Sequence, residues 1–475
     1  MSLRLLALPA HGIGAPGKCA AQRRCHRLEA PCAAATPLKA ASSPASLAAD
    51  VVAGLSVATL TVPQARLSGG TARWHLSLTL VAFQSLAYAA LAGAPPIQGL
   101  HSNAVSAFPA SVLASSRYLQ IGAVALTSLL TAASLDAAGL QSGTALYIGG
   151  ATILAYVVGS TRCILGALNL GDLAMRLNPA VLDGFMLAVV WTVAASQVPV
   201  ILGVAHGPGM SYLHAAASCI AQPHGWQLGQ LAVAALTAIC LTRGKRIHPL
   251  FPGALVACAL GCLLSSLNVP IGPTVGHIAA TLPSLVPPAS LPWHLLPALA
   301  APGVAIAVAG FAESAGISSR FAAEDGEPWD CSRELLAHGA SNLLVAAVGG
   351  FPVSGSLSRT SLGRAAGATS QRAHLVTGLA VLLVLPFGAA LLASLPRATL
   401  GGLVICAMAP LMTPPPAMRL SAVGAGPRRG ALLGWATCLA SLACSPRLEL
   451  GLLCGVLLSA VLRALDKGRE DSAIA

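Results

Sequence analysis

Long apolar stretches succeed one another along this chain, separated by short polar or glycine- and proline-containing breaks. Between Arg246 and Glu313 there is no Asp, Glu, Lys or Arg, which leaves room for two or three membrane crossings of about 20 residues each. The predicted apolar segments lie near 51–64, 74–93, 96–114, 119–139, 143–160, 162–175, 180–204, 226–242, 250–267, 270–285, 292–319, 333–351, 353–368, 373–395, 398–413 and 430–463. The pattern predicts an all-α polytopic membrane protein.

Composition supports the same class. Hydrophobic residues make up 55% of the 475 residues, charged residues make up 9%, and the mean hydropathy is +0.76. A soluble domain carries about 25% charged residues. The 48 glycines and 33 prolines fit helices that pack closely or break inside a membrane.

Much of the net charge of +12 lies near the N-terminus. Residues 1–49 hold six basic residues and a single acid, Glu29, in an Ala-, Ser- and Pro-rich context. This leader resembles an organelle transit peptide and lacks the apolar core of a secretory signal. A disordered cytosolic tail is the alternative. The plasma membrane and a plastid or mitochondrial membrane therefore both stay open.

From residue 50 onward the chain carries 21 basic and 14 acidic residues. Clusters such as Arg243-Gly-Lys245-Arg246 fit the positive bias of cytoplasmic loops in a lipid bilayer. No basic patch is interleaved with aromatic residues, so no nucleic-acid partner is expected. We expect a membrane domain over 50–465 and a short polar tail over 466–475.

The 13 cysteines do not form a metal or disulfide pattern. The sequence contains no CxxC and no Cys/His cluster with zinc spacing, so small buried hydrophobic side chains are the better interpretation. Metalloprotease, serine hydrolase and phosphate-loop motifs are also absent. We expect no metal, no cofactor, no catalytic residue and no enzymatic activity.

The polar stretch Phe351-Pro-Val-Ser-Gly-Ser-Leu-Ser-Arg-Thr360 lies between two apolar segments. An arginine at membrane depth costs about 3 kcal/mol on insertion scales and is usually functional. Irregular backbone at that depth survives only where it is buried in protein or lines a cavity. A broken helix beside the fixed charge of Arg359 predicts an anion site. A polar loop at the membrane surface is the alternative.

A similar stretch occurs in the first half of the chain. Ser115-Ser-Arg117-Tyr-Leu-Gln-Ile-Gly122 places an arginine and a glycine before an apolar helix. Interrupted segments at corresponding positions of two halves are typical of inverted-repeat transporters with a site at the membrane midplane.

Several motifs occur together in an order that resembles the SulP family, the sulfate permeases of solute carrier family 26. They are Asp50-Val-Val-Ala-Gly-Leu-Ser-Val57, Val62-Pro-Gln64, Ser85-Leu-Ala-Tyr-Ala89, Leu91-Ala-Gly-Ala-Pro-Pro96, Ser115-Ser-Arg117-Tyr-Leu-Gln-Ile-Gly122, Arg176-Leu-Asn-Pro-Ala-Val-Leu-Asp-Gly-Phe-Met186, Glu313-Ser314, Ser332-Arg-Glu-Leu-Leu-Ala-His-Gly339, Gly349-Gly-Phe-Pro-Val-Ser-Gly-Ser-Leu-Ser-Arg-Thr360 and Leu395-Pro-Arg-Ala-Thr-Leu400. The resemblance runs from about residue 50 to residue 464 and so covers the whole membrane part.

The resemblance implies about fourteen membrane segments in a seven-plus-seven inverted repeat, divided into a mobile core and a gate. The substrate anion would lie between the facing half-helix ends of segments three and ten. By matching motifs, the expected substrate-binding residues are Gln64, Tyr88, Val124, Ser356, Leu357, Ser358 and Arg359.

Glu313 matches the family's acid in segment eight, which couples transport to a cation, often H⁺. Relatives that import bicarbonate with Na⁺ have a hydroxyl one turn later, where this chain has Ile317. This difference favours proton coupling, although Ser314 and Ser318 offer hydroxyls nearby. The alternative is a Glu313–Arg359 pair that only holds helices together.

Two departures from the family pattern concern the ends of the motif set. The pattern normally finishes in a cytosolic STAS domain, and the chain reaches Ala475 without one, so we expect that domain to be absent. Residues 65–84 interrupt the first segment between Gln64 and Ser85. Deleting them restores the family's unbroken motif, so we interpret them as a retained intron or an alternative splice form.

Secondary active transport of an inorganic oxyanion by alternating access is the expected function. Sulfate ranks first by family prevalence, and bicarbonate is the main alternative. Coupling would be to H⁺ or to a counter-anion. An uncoupled anion channel, a non-transporting splice form and a scaffold stay open, as does a homodimer.

Overall fold

The structure is a computed structural model that describes residues 44–59, 79–171, 178–204, 211–247, 253–276, 281–415, 418, 425–445 and 447–474. Gln64, the leader before residue 44 and residues 65–78 of the interrupting segment lie outside this part of the chain. The described residues form mainly α-helices and one pair of very short strands.

The first half of the described chain contains nine helices and one strand. They are α1 (Pro44–Thr59), α2 (Thr79–Leu91), α3 (Pro96–Leu113), β1 (Ile121–Gly122), α4 (Ala125–Ala137), α5 (Ala145–Ala167), α6 (Pro179–Leu202), α7 (Tyr212–Ile220), α8 (Leu228–Ile247) and α9 (Gly253–Ser266). Helix α6 shows why these boundaries fall where they do. The side chain of Asn178 accepts from the backbone N–H of Ala180, Pro179 occupies the first turn, and Gly203 ends the helix at φ 70°.

The second half contains seven further helices and the second strand. They are α10 (Leu296–Asp325), α11 (Cys331–Ala347), β2 (Ser354–Gly355), α12 (Leu357–Ala365), α13 (Arg372–Ala393), α14 (Arg397–Met408), α15 (Ala425–Ala443) and α16 (Leu448–Ile474). The all-α architecture expected from the apolar pattern is thus confirmed for the described residues. The number of crossings and the inverted repeat stay predictions.

Helix length separates the apolar helices into two groups. Within the part of the chain that the structure describes, four spans are long and apolar enough to cross a membrane: Ala145–Ala167, Pro179–Leu202, Trp293–Asp325 and Leu448–Leu465. Shorter apolar helices include α4, α14 and part of α13. The shortness of α4 follows from the strand that precedes it, because residues 121–124 are extended rather than helical.

Two of the predicted segments are wrong in the described part of the chain. The expected break between 143–160 and 162–175 does not exist, since α5 runs through Arg162 to Ala167. The predicted segment 270–285 forms no helix over its described residues, 270–276 and 281–285. Its residues include Pro270, Pro273 and Pro283, and prolines oppose a continuous helix by removing N–H donors.

Small residues let the central helices approach each other closely. A Cβ at Gly159 of α5 would lie 2.9 Å from Leu343 of α11, and one at Gly339 would lie 2.5 Å from the Cys163 sulfur. The contact between α6 and α15 is equally tight, because a Cβ at Gly184 would lie 2.0 Å from the Gly434 carbonyl oxygen. Backbone approach of this kind is how helices gain packing energy in a membrane, where apolar burial gives little.

Candidate anion-binding site

Strands β1 and β2 pair antiparallel, with Ile121 opposite Gly355 and Gly122 opposite Ser354. The helices that follow them, α4 and α12, therefore begin close together. The Ser356 N–H donates to Gln120 O at 2.9 Å, and the Gln120 N–H donates to Thr360 Oγ1 at 3.0 Å. The pairing joins the two broken segments that the sequence singled out, one from each half of the chain.

Both half-helices point their N-terminal ends at this junction. Val124 precedes α4 in an extended conformation and gives its first turn no side-chain cap. The side chain of Ser356 caps α12 by accepting from the Arg359 N–H at 3.5 Å. Free N–H groups and the helix dipole give such ends partial positive charge. The junction is therefore electrostatically suited to an anion.

Arg359 adds a full positive charge in the first turn of α12. Its side chain is 2% exposed. One terminal nitrogen donates to the side-chain oxygen of Asn103, and the other donates to Ala123 O at 3.0 Å. Its Nε is buried without a partner, and the ion pairs of the described residues do not include it. The guanidinium is held by neutral acceptors, so its charge is available to an anion.

Asn103 of α3 connects the parts of this junction. Its side-chain oxygen accepts from the Ala123 N–H at 3.0 Å as well as from Arg359, and its amide nitrogen donates to the Ser85 hydroxyl. A Cβ at position 122 would lie 1.8 Å from that oxygen, so only glycine fits there. Asn103 thus fixes the guanidinium against the start of α4.

A network of hydroxyls ties β2 to α10. Ser314 Oγ donates to Gly310 O at 2.9 Å and accepts from the Gly355 N–H at 2.9 Å. Ser354 Oγ lies 2.9 Å from Ser314 Oγ and donates to Gly310 O at 2.7 Å. These contacts place the helix that carries Glu313 directly against the strand that leads to Arg359.

Glu313 is half-buried beside this network. Its Oε2 is buried and has no hydrogen-bond partner, and no ion pair joins it to Arg359. The purely structural Glu313–Arg359 pair considered from the sequence is therefore not formed. Tyr88 of α2 lies near enough to interact electrostatically with both groups. Glu313 and Arg359 are therefore both near Tyr88 without forming an ion pair with each other.

The remaining residues expected from the sequence divide into two groups. Val124 and Ser356 are buried at the helix starts, with exposed fractions of 7% and 9%. Leu357 and Ser358 are exposed, although Ser358 Oγ lies 3.2 Å from Ser356 Oγ. The structure brings Val124, Ser356 and Arg359 together at the helix starts, where Leu357 and Ser358 are the exposed members of the set. Gln64 lies outside the described residues.

Two polar residues of this region were missed from the sequence. Asn103 belongs to the run His101-Ser-Asn-Ala-Val-Ser106, whose polar side chains inside an apolar segment were a usable signal. Arg162, the first residue of the predicted segment 162–175, was not singled out, and it is fully buried in α5. Its guanidinium donates to Ala307 O at 3.0 Å, Val353 O at 3.0 Å and Ile306 O at 3.5 Å. It fastens α5 to α10 and to the segment before β2.

Known proteins resemble this chain in sequence. A model of the sulfate permease family matches residues 76–424. A probable sulfate transporter of Mycobacterium tuberculosis is 34% identical over 368 residues, covering 76% of this chain and 61% of that protein. The chloroplastic sulfate transporter 4.1 of Arabidopsis thaliana is 30% identical over 375 residues, covering 76% of this chain and 51% of that protein. The chain spans roughly half to three fifths of the length of these relatives.

Solved structures show the same fold. The structure of SLC26A9 superposes with a TM-score of 0.75 at 19% identity, covering 89% of this chain and 66% of that chain. The transmembrane domain of the cyanobacterial bicarbonate transporter BicA gives a TM-score of 0.70 at 18% identity, covering 86% of this chain and 97% of that chain. The relatives are transporters, which confirms the expectation of a non-enzyme. By its match over residues 76–424, this chain belongs to the sulfate permease family.

Proposed function

We propose that the chain is a secondary transporter of an inorganic oxyanion, with the anion bound between the starts of α4 and α12. The observation that carries this proposal is the buried guanidinium of Arg359, which meets neutral acceptors only. Each guanidinium nitrogen of the buried Arg162 has a carbonyl partner, whereas Arg359 keeps an unpartnered Nε at the starts of two half-helices, where the charge can bind an anion. A small anion would supply the negative charge that Arg359 lacks among the described residues.

The form of the site also suits an oxyanion that must be released again. Arginine offers planar, paired donors that match oxyanion geometry, and the Ser356 and Ser358 hydroxyls can donate beside it. One full charge with two partial helix charges binds more weakly than a cluster of arginines would. Sulfate is the first candidate substrate, because the relatives from Mycobacterium tuberculosis and Arabidopsis thaliana are named sulfate transporters. Bicarbonate is the second, because of the likeness to BicA.

Glu313 is the proposed coupling group. It lies on α10 next to Ser314, which bonds the strand of the anion site, and its Oε2 has no partner. A proton on this carboxyl would remove a negative charge from the neighbourhood of Tyr88, which also interacts electrostatically with Arg359. Anion binding and protonation of Glu313 would therefore favour one another, as proton-coupled uptake requires.

Uptake of radiolabelled sulfate and bicarbonate into proteoliposomes, with and without a pH gradient and for chains with and without residues 65–84, tests the proposal. Arg359→Ala should abolish saturable uptake of the transported anion, since the full charge of the site is lost. Arg333→Gln is the matched control, because Arg333 is exposed at the start of α11. Native affinity and uptake in Arg359→Ala would refute the site. Anion current that follows voltage without a trans anion or pH dependence would instead show a channel.

A further inference from the structure

A cavity of about 590 Å³ is lined by residues of α2 and α4, among others. Along α4 it is lined by Leu129, Ala132 and Asp136, so it extends from one turn after the helix start to the last turn. Leu86 and Ala87, which line it from α2, immediately precede Tyr88. The cavity therefore runs along α4, the helix that follows Val124, to its last turn, and against α2, the helix that carries Tyr88.

Arg397, the first residue of α14, supplies a positive charge to the wall of this cavity. Its side chain is exposed and its Nε donates to Thr274 O at 3.1 Å. Among the described residues its terminal nitrogens have no hydrogen-bond or ion-pair partner, so both remain able to donate.

The backbone around Arg397 is held in place by a second short pairing. Its own N–H donates to Pro273 O at 3.0 Å, the Val275 N–H donates to Leu395 O at 2.8 Å, and the Gly276 N–H donates to Ala393 O at 3.1 Å. Thr274 and Pro396 form an antiparallel bridge between these contacts. Hydrogen bonds thus hold the backbone and the Nε of Arg397 in place. They do not involve its two terminal nitrogens.

The carboxylate in the cavity wall has its own donor. Tyr212 of α7 donates to Asp136 Oδ2 at 2.8 Å, and no ion pair within 4.0 Å joins Asp136 to Arg397. The two charges of this part of the wall are therefore separate. Asp136 would weaken anion binding at Arg397 without neutralising it.

We propose that Arg397 forms a second, weaker anion site, an entrance site that holds an inorganic oxyanion in this cavity before it reaches Arg359. The proposal rests on the proposed transport function. Bidentate donation from the terminal nitrogens would bind the oxyanion, and Asp136 would keep the binding weak enough for onward movement. The entrance site serves the membrane face at which α4 ends.

Equilibrium binding of radiolabelled sulfate and bicarbonate to the purified full chain in lipid nanodiscs tests the site directly. We expect two sites in the unmodified protein, loss of the weaker one in Arg397→Gln, and loss of the tighter one in Arg359→Ala. Arg333→Gln is the control, because its Nε also donates to a backbone carbonyl, Leu113 O at 2.9 Å. Unchanged binding in Arg397→Gln would overturn the entrance site, whereas unchanged binding in Arg359→Ala would overturn the transport site.

Uptake kinetics supply a second measurement that misfolding cannot imitate. Arg397→Gln should raise KM roughly fivefold with an unchanged kcat, for anion presented at one membrane face only, and the effect should shrink at high salt. Asp136→Asn should lower KM at the same face, which is the opposite direction. An equal KM change at both faces in Arg397→Gln, or a raised KM in Asp136→Asn, would contradict the proposal.

Discussion

The guanidinium of Arg359 and the side-chain oxygen of Asn103 are hydrogen-bonded across 256 positions of sequence. The donor begins α12 in the second half of the chain, and the acceptor lies in α3 in the first half. The same oxygen accepts from the Ala123 N–H just before α4. This one amide therefore sets the distance between the anion-binding charge and the opposite half-helix.

Two substitutions of Asn103 distinguish the position of the Arg359 guanidinium from its charge. Asn103→Ala should weaken anion affinity roughly 10- to 100-fold, because a hydrogen bond to a charged group contributes about 1.5–3 kcal/mol. Asn103→Asp keeps the acceptor but places a negative charge against Arg359, so it should lose anion affinity while thermal stability is retained. Binding isotherms and melting curves of the two variants check both statements. Native affinity in Asn103→Asp would show that the charge of Arg359 does not act on the anion.

Glu313→Gln should uncouple uptake from the pH gradient. The amide imitates the protonated carboxyl permanently, so anion exchange should persist at rates within about a factor of three of the unmodified rate. The stimulation by an imposed pH gradient should disappear. Proteoliposome uptake with and without the gradient measures the difference. If Glu313→Gln responds to the gradient as the unmodified protein does, the coupling role is wrong and the residue is structural.

Asp50 of α1 should be a large contributor to stability. It is 1% exposed and accepts from the Thr369 N–H at 2.6 Å, the Ser370 N–H at 2.9 Å and both hydroxyls, just before α13. Asp50→Ala should cost about 2–4 kcal/mol, since several buried donors lose a charged acceptor. Asp330→Ala is the control, because Asp330 caps α11 at its exposed start and should cost about 1 kcal/mol. Denaturation in detergent measures the stability lost in each variant. Equal losses would show that the contacts of Asp50 with Thr369 and Ser370 contribute no more than an exposed helix cap.

Removing residues 65–84 should increase transport. The deletion joins Gln64 to Ser85 and gives a first segment of apolar residues near the roughly 20 needed for a crossing. The full chain should show little uptake, and the messenger RNA of the active form should lack these codons. A flexible Gly/Ser replacement of equal length is the control for chain continuity. Robust uptake by protein that contains Trp74 would overturn this interpretation.

The sequence located the two interrupted segments better than it located the ends of the other helices. Glycines, serines and two arginines, Arg117 and Arg359, between apolar segments were enough to locate the breaks before α4 and α12. The partners of Arg359 could not be deduced, since pairing β1 with β2 brings Asn103 and Ala123 to it from a distant part of the chain. The role of Arg162 could not be deduced either, because the three backbone carbonyls that accept from it lie 144 to 191 positions later in the chain.

The pairing of β1 with β2 has a consequence for the order in which this protein is made. Synthesis proceeds from the N-terminus, so α3, β1 and the start of α4 exist before Arg359 leaves the ribosome. The acceptors Asn103 and Ala123 are then already present in the bilayer when the guanidinium must enter it. The first half thus supplies the hydrogen-bond acceptors for the arginine of the second half. An isolated second half would insert Arg359 without Asn103 and Ala123 as partners.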